Sequence, residues 1–262
     1  MPRTNTPAIE PEKHKPELKN VNATPSSLVN HIGRGDSFQA MKKIGMLTIG
    51  QSPRGDIIPG FMEILGEGYT IVEAGALDDH TLEDVKKIDL NPEHYILVSR
   101  MRDGTEIKIT KKYVVPLMQR QLDRIEAQGV KLTVVMCTGR FPQFKSRGLV
   151  VTPSEVLRGV VEGALKEGRL GVVFPTAEQI AYAEREFGRP GVEVYADSVS
   201  PYEADDVEGL LKRLREQDLD LIFLNCFGFP SWLKEKIVDA TGKPVIQSNA
   251  LIARVLKELV SG

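Results

Sequence analysis

The sequence has few of the residue types that build metal sites and charge-relay triads. Of its 262 residues only two are cysteine and four are histidine. His14 and His31 lie in a polar N-terminal stretch, and His80 and His94 stand in turn-like contexts typical of solvated side chains. Two cysteines in so long a chain do not make the disulfide framework of a small secreted domain. We therefore expect no metal site, no disulfide and a reducing, cytoplasmic location.

The sequence also lacks the features that bind nucleic acids or membranes. A formal net charge of -2 leaves no basic excess for phosphate backbones or anionic lipids. The longest apolar runs have strand length, well short of the ~20 residues of a membrane-spanning helix. The polar N-terminus has no apolar segment typical of a signal peptide. These absences predict no nucleic-acid partner and no membrane partner.

A nucleotide cofactor is not expected either. No G-x-G-x-x-G motif follows a predicted strand, and the glycine-flanked loop at 50–55 is followed by Asp56 where a phosphate-binding loop needs lysine. The sequence therefore predicts no nucleotide cofactor.

Strands and helices alternate along most of the chain. The first 40 residues are rich in Pro, Asn, Thr, Ser, Lys and Glu without an apolar period, which predicts a disordered extension. From Met41 onward apolar strands alternate with amphipathic helices, a pattern typical of parallel strands covered by helices on both faces. Gly129 is placed to end a helix over 110–128. The segment 152–155 (TPSE) predicts a capping box for the next helix.

Two parts of the chain share one order of elements. Residues 43–50 (KIGMLTIG) resemble residues 169–176 (RLGVVFPT), and later in each part a strand ends in the pattern Cys-x-Gly, at Cys137 and Cys226. Because ligands bind at the carboxyl ends of strands in open α/β sheets, two such lobes would place both cysteines in one cleft.

The fold expected is therefore α/β, with two pseudo-symmetric lobes that each contain a mainly parallel sheet covered by helices. The first lobe spans residues 41–168 and the second spans residues 169–262. The C-terminal helix over 249–260 is free to pack back on the first lobe, and we allow for a homodimer.

The loop after the first strand offers groups that could hold a carboxylate. Its backbone N–H groups, the Ser52 hydroxyl and the Arg54 guanidinium, with Gln51 beside them, are suited to anion capture. The alternative is an ordinary turn in which Arg54 is solvated and Asp56 is a helix N-cap.

Further polar residues follow other strands. Thr138 and Thr176 could donate hydrogen bonds to a carboxylate, but plain N-caps would look the same. Ser248 and Asn249 either cap the last helix or form a wall of the cleft. Arg140, three residues beyond the first cysteine, is the arginine that we would test first.

Four motifs together resemble a known family: TIGQSPR at 48–54, MCTG at 136–139, NCFGF at 225–229 and PVIQSNALIAR at 244–254. The resemblance is to the AroM family of the aspartate/glutamate racemase superfamily, and it extends from Met41 onward. It implies a two-lobed fold with the active site between the lobes. In the racemases one cysteine per lobe faces the substrate α-carbon, and Cys137 and Cys226 occupy the matching positions.

The chain departs from the racemases beside these positions. It has Gln51-Ser52 where they have Asp-Ser. It has Thr138-Gly139 where they have Asn-Thr after the first cysteine, and Phe227-Gly228 where they have Thr and His or Glu after the second. These departures argue against acidic amino acids as substrates, and the phenylalanine favours a more apolar or aromatic ligand.

The leading hypothesis is a cofactor-independent racemase or epimerase of an amino acid or related small-molecule carboxylate. Cys137 and Cys226 would be its acid/base pair, since removing a weakly acidic α-proton needs a base on one face and an acid on the other. One alternative is a decarboxylase or cis–trans isomerase of a dicarboxylate on the same fold. Another is a non-catalytic protein that binds a small metabolite. Both cysteines could also be buried as small hydrophobic residues.

Overall fold

A computed structural model describes residues 43–91, 94–203 and 206–261. The predicted extension over residues 1–40 lies outside these residues. The strands are β1 Lys43–Thr48, β2 Thr70–Gly75, β3 Ile96–Arg100, β4 Glu106–Thr110, β5 Leu132–Val135, β6 Leu149–Val151, β7 Gly168–Phe174, β8 Val192–Ser198, β9 Leu221–Leu224 and β10 Val245–Gln247. The α-helices are α1 Ile58–Leu65, α2 Leu82–Val85, α3 Lys111–Ala127, α4 Pro153–Ala164, α5 Ala183–Phe187, α6 Val207–Arg215, α7 Ser231–Thr241 and α8 Ser248–Val260. A 3₁₀ helix spans Ala177–Tyr182.

Eight of these strands form two sheets with the same internal order. One four-stranded sheet has the order β2-β1-β5-β6 and the other β8-β7-β9-β10. In each, the first strand of its half lies between the second and the third, and every described ladder is parallel. The predicted α/β fold with two pseudo-symmetric lobes is therefore confirmed.

The third sheet is an insertion that only the first half contains. Strands β3 and β4 form an antiparallel hairpin, with Leu97 opposite Ile109 and Ser99 opposite Ile107. The sequence also predicts a hairpin arm at 106–109 after the strand that corresponds to β3, and β4 confirms it. Because the insertion falls between the second and third strands of its half, it leaves the order of the parallel sheet unchanged.

The main hydrophobic core lies between the two parallel sheets. Strand side chains alternate in direction, so Ile44 and Met46 of β1 join the same buried cluster as Leu170 and Val172 of β7. Helix α8 contributes four fully or nearly fully buried residues to this cluster: Ile252, Ala253, Leu256 and Val260. The two lobes thus share one core.

Helices also cover the outer face of each sheet. On the first sheet, α3 buries Val114, Met118, Leu122 and Ile125, whose spacing places them on one helical face. On the second sheet, α6 and α7 form the corresponding outer cluster. Gly129 follows α3 with φ of +82°, so the predicted left-handed helix end is confirmed.

Some local predictions were wrong. Thr152 precedes α4, but its side chain makes no capping hydrogen bond, so the predicted capping box is absent. Asp56 is not the N-cap of α1, because Ile57 takes that position and Asp56 bonds to Arg54 instead. In both cases the residue type permits a capping hydrogen bond, but it does not determine whether the side chain is oriented to form one.

Helix α8 also contacts the first half of the chain. It shares the central cluster with Phe61 and Leu65 of α1. In addition, the Tyr69 hydroxyl donates a hydrogen bond to the Val260 carbonyl at 3.4 Å. The end of the chain therefore packs on both sheets.

Candidate functional site

The two cysteines occupy equivalent positions in the two sheets. Strands β5 and β9 each end two residues before a cysteine. The Gly139 N–H donates to Cys137 Sγ at 3.4 Å, and the Gly228 N–H donates to Cys226 Sγ at 3.3 Å. Both thiols are free and buried. The repeated Cys-x-Gly pattern in the sequence therefore corresponds to a repeated local structure.

Both cysteines line one small cavity. Its free volume is about 20 Å³, the space of one or two water molecules. Its apolar wall includes Ile49, Leu97, Val98, Met136 and Phe227. Its polar lining is formed by Arg54, Tyr95, Ser99, Thr138, Gln179 and Tyr202. A substrate larger than water needs this cavity to open.

Burial holds both thiols in the neutral form. Loss of solvent raises the pKa of the Cys137 thiol to about 11 and that of the Cys226 thiol to about 12. The glycine N–H groups and the positive charge of Arg54 act in the opposite direction on both. Cys137 and Cys226 also influence one another, because a charge on the first raises the pKa of the second.

Arg54 is the charged residue of the cavity wall. Its guanidinium is 3% exposed and donates two hydrogen bonds to the Asp56 carboxylate, at 2.9 and 2.7 Å. It also donates to Thr48 Oγ1 at 2.9 Å and to the Tyr202 hydroxyl at 2.9 Å. Burial alone would raise the pKa of Asp56, but the bonds from Arg54 bring it below its usual value.

Tyr202 separates the inner cavity from an outer cleft. The outer cleft has a volume of about 420 Å³, and Tyr202 and Gly228 line both spaces. The Arg100 guanidinium lies 5.7 Å from the Tyr202 ring centre and 3.8 Å from Asp56. Tyr202 therefore borders both spaces, with Gly228 beside it.

Five of the predicted binding residues line the cavity: Arg54, Thr138, Gly139, Phe227 and Gly228. The Thr138 hydroxyl donates to the Asn225 carbonyl at 3.2 Å, so it ties the two cysteine-bearing loops together. The Phe227 ring packs 6.0 Å from Phe61 and is 2% exposed. A side chain at Gly228 would collide with Tyr202, since an added Cβ would lie 2.8 Å from the tyrosine oxygen.

The other residues predicted in the first loop lie away from the cavity wall. Gln51 donates to the Leu77 and His80 carbonyls, at 3.0 and 2.8 Å, and so holds its own loop. The Ser52 hydroxyl donates to Asp78 at 2.8 Å. Both side chains are thus engaged by protein groups.

The remaining predicted residues support neighbouring loops. Thr176 lines a separate surface cleft, where its hydroxyl donates to Glu178. The fully buried Ser248 hydroxyl donates to the Leu224 carbonyl at 2.5 Å. Asn249 donates to the Phe227 carbonyl at 2.9 Å, and so fixes the loop that carries the second cysteine. Arg140 lines another small cavity beside Thr138.

Sequence reasoning missed four polar residues of the cavity: Tyr95, Ser99, Gln179 and Tyr202. Alternation along β3 could have indicated Ser99, because it lies two residues beyond the buried Leu97. Gln179 is 4% exposed, and its amide donates to the Ile96 carbonyl at 2.8 Å. Nothing in the sequence around Tyr202 distinguishes it from a surface loop residue.

The described residues contain no group of three or more His, Cys, Asp or Glu side chains that could hold a metal ion. Within the same residues, no helix is both long and apolar enough to cross a membrane.

Solved structures with the same fold include racemases and a decarboxylase. A glutamate racemase from Aquifex pyrophilus is 17% identical, with TM-score 0.51 and 83% of each chain covered. An unliganded arylmalonate decarboxylase is 15% identical, with TM-score 0.51, 84% of this chain and 93% of the other covered. A glutamate racemase isoform from Bacillus anthracis is 15% identical, with TM-score 0.51 and coverage of 83% and 80%. At these identities the likeness shows the fold alone.

Sequence comparison places the chain in a family. A comparison with curated proteins returns no significant match. The AroM protein family, in contrast, matches residues 44–260, which include both parallel sheets and both cysteines. The fold is the one shared by the glutamate racemases and the decarboxylase. The chain belongs to the AroM family.

Proposed function

We propose that the protein is a cofactor-independent racemase or epimerase of a small carboxylate, with Cys137 and Cys226 as its acid/base pair. The observation that carries the proposal is the matched placement of the two thiols. Each cysteine follows the third strand of its sheet and lines the same cavity. The sulfur of each accepts a hydrogen bond from the backbone N–H of the residue two positions later. Two buried cysteines that served only as small hydrophobic residues would not need this correspondence.

The reaction needs one thiolate and one thiol. The thiolate removes the α-proton from one face of the substrate, and the thiol of the other cysteine delivers its proton to the opposite face. The product is the opposite configuration, and the two cysteines have exchanged protonation states. Because burial raises the pKa of both thiols, the positive charge of Arg54 favours the form in which one is ionised.

Arg54 is the group that we propose for the substrate carboxylate. It lines the cavity, and one of its terminal nitrogens already donates to a neutral hydroxyl, that of Tyr202. A carboxylate in the place of that hydroxyl would form a stronger, charge-assisted hydrogen bond. The same displacement would move Tyr202 and open the cavity toward the outer cleft.

The test is racemisation and α-proton exchange in D₂O, followed by polarimetry and ¹H NMR. The substrates are a panel of chiral 2-amino and 2-hydroxy acids. We expect Cys137→Ser and Cys226→Ser each to lower racemisation by at least ~100-fold, the usual range for loss of an acid or base. Cys→Ala variants serve as a second series, and near-native thermal unfolding identifies those that fold. Undiminished racemisation in both folded variants would rule the pair out. Binding without any exchange would favour a binding protein.

A second candidate is decarboxylation of a substituted malonate, which the apolar wall favours. In that reaction the bond to one carboxylate breaks and CO₂ leaves, while the electron pair remains on the α-carbon. One thiol then protonates this carbon. An apolar surface such as Leu97, Met136 and Phe227 disfavours the charged carboxylate relative to neutral CO₂.

The two candidates differ in the number of cysteines that they need. Decarboxylation needs one proton donor, so phenylmalonate turnover to phenylacetate should fail in one cysteine variant and persist in the other. Racemisation should fail in both. Release of CO₂ from phenylmalonate with only one cysteine required would therefore replace the first proposal with the second.

A further inference from the structure

The cavity wall has a marked imbalance of charged groups. Arg54 is the only charged side chain among the described residues that line it, since both thiols are neutral in the closed protein, and no aspartate or glutamate contributes to that lining. The Asp56 carboxylate accepts two hydrogen bonds from this guanidinium, and the Glu73 carboxylate accepts the Arg54 backbone N–H at 2.6 Å; neither belongs to the lining of the cavity. A buried ammonium group needs an anionic partner. The wall as described offers none.

The charges around Tyr202 favour one added negative charge. Arg54 and Arg100 carry two positive charges, and Asp56 carries one negative charge that both contact. These three are the charged side chains that line the inner cavity or the outer cleft among the described residues, and their net charge is +1; Glu73, which accepts the Arg54 backbone N–H, lines neither space. A single carboxylate would neutralise it, whereas a zwitterionic α-amino acid would bring a positive charge that remains unpaired.

Neutral polar groups are available on the same wall. Ser99 is 1% exposed, lines the cavity, and its hydroxyl has no hydrogen-bond partner among the described residues. Gln179, also buried, uses its amide nitrogen on the Ile96 carbonyl. A buried hydroxyl without a partner is destabilising, because it has lost its hydrogen bonds to water and gained none in return. A ligand that bonds to it recovers that cost, and a ligand hydroxyl can donate to it or accept from it without bringing a charge against the apolar wall.

We propose that the substrate is a 2-hydroxy monocarboxylate with an apolar or aromatic side chain, and not a 2-amino acid. Its carboxylate bonds to Arg54, its α-hydroxyl bonds to Ser99, and its side chain contacts the apolar wall around Phe227. The inference rests on the proposed function for the location of the site. It deepens that function by naming the substrate class.

The experiment compares ligands that differ in one group at the α-carbon. Mandelate carries a hydroxyl there, phenylglycine an ammonium and phenylacetate only hydrogen. Dissociation constants are measured by isothermal titration calorimetry with the full chain and with Ser99→Ala. We expect wild-type protein to bind mandelate at least 10-fold more tightly than phenylglycine. We expect Ser99→Ala to weaken mandelate binding by about 5- to 10-fold and to leave phenylacetate binding within 2-fold.

Each result counts for or against the proposal. Phenylglycine binding as tightly as mandelate overturns it, as does binding of neither. An equal loss for mandelate and phenylacetate in Ser99→Ala also overturns it, because the serine would then act on the fold and not on the hydroxyl. α-Deuteration in the same samples keeps the proposed function separate. Cysteine-dependent exchange of phenylglycine would retain that function and remove this substrate class. Tight mandelate binding without exchange would retain this substrate class and remove the proposed racemase function.

Discussion

Burial is the largest influence on the ionisation of both thiols. The Cys137 and Cys226 pKa values lie near 11 and 12 because neither sulfur reaches solvent, and one amide N–H for each does not offset the loss of water. In the closed protein at neutral pH both thiols are therefore protonated. The thiolate that catalysis needs forms only when the cavity opens or when bound substrate changes its surroundings.

The raised pKa values predict how stability depends on pH. Between the ordinary thiol pKa of 9.0 and the folded value of about 11, the folded protein retains the Cys137 proton while the unfolded chain loses it. The free energy of unfolding therefore falls as pH rises through this range, by about 3 kcal/mol for a shift of two units. Stability below pH 9 is unaffected.

Urea unfolding between pH 7 and pH 11 measures this effect, with Cys137→Ser as the matched variant. Other groups also titrate in this range, so the difference between the two proteins is the quantity of interest. We expect wild type to lose more stability than the variant as pH rises. Parallel curves for the two proteins would show that the thiol is not protected from ionisation.

Arg54 and Tyr202 should have opposite effects on carboxylate binding. Tyr202→Phe keeps the ring but removes the hydroxyl that accepts a hydrogen bond from Arg54. Phenylacetate should therefore bind a few-fold more tightly. Arg54→Lys keeps the charge but loses the two-bond contact with Asp56. It should weaken binding by 10-fold or more, given that hydrogen bonds to charged groups contribute about 1.5–3 kcal/mol.

Isothermal titration calorimetry of wild type and the two variants provides the comparison. Equal weakening by both substitutions would indicate that Tyr202 supports the site and does not compete with the ligand.

The strands and long helices were predictable because their buried apolar residues recur at a regular spacing. The buried face of α3 repeats at three- and four-residue spacing, and β1 alternates between the central core and the outer cluster. The three-residue strand β6 and the four-residue helix α2 were not predicted. Each is too short to show a period, and tertiary contacts determine its conformation.

Gly45 of β1 tests the packing between a sheet and its outer helix. An added Cβ there would overlap Thr133 Oγ1 and lie 2.7 Å from Ile125 Cγ2 of α3. Gly45→Ala should therefore destabilise the protein by about 1–3 kcal/mol, the usual effect of overpacking.

The control is the same substitution where space is free. Gly163 lies in α4 with no atom within 4 Å of an added Cβ, so Gly163→Ala should stabilise by about 0.5–1 kcal/mol through helix propensity. Thermal or urea unfolding gives both values. A Gly45→Ala protein as stable as wild type would contradict the packing described for β1.

Across both sheets, the sequence predicted the position of the site between the two cysteines better than it predicted the side chains that line the site. The echo between residues 43–50 and 169–176 and the two Cys-x-Gly patterns led to two lobes and one shared cleft. Gln179 and Tyr202 were missed because they come from a 3₁₀ helix and a loop whose positions depend on the assembled fold, whereas alternation along β3 could have indicated Ser99. Ser52 and Thr176 were predicted to bind substrate, and in the structure their hydroxyls donate to Asp78 and Glu178.

In the proposed mechanism Cys137 and Cys226 act on opposite faces of one substrate. The most direct measurement is enantiomer-resolved α-proton exchange in D₂O, with R- and S-mandelate supplied separately to Cys137→Ser and Cys226→Ser. We predict that racemisation stops in both variants and that each variant retains exchange of a different enantiomer, because each keeps the base for one face only. Racemisation at the wild-type rate in either variant, or retained exchange of the same enantiomer in both, would show that the two thiols do not act on opposite faces.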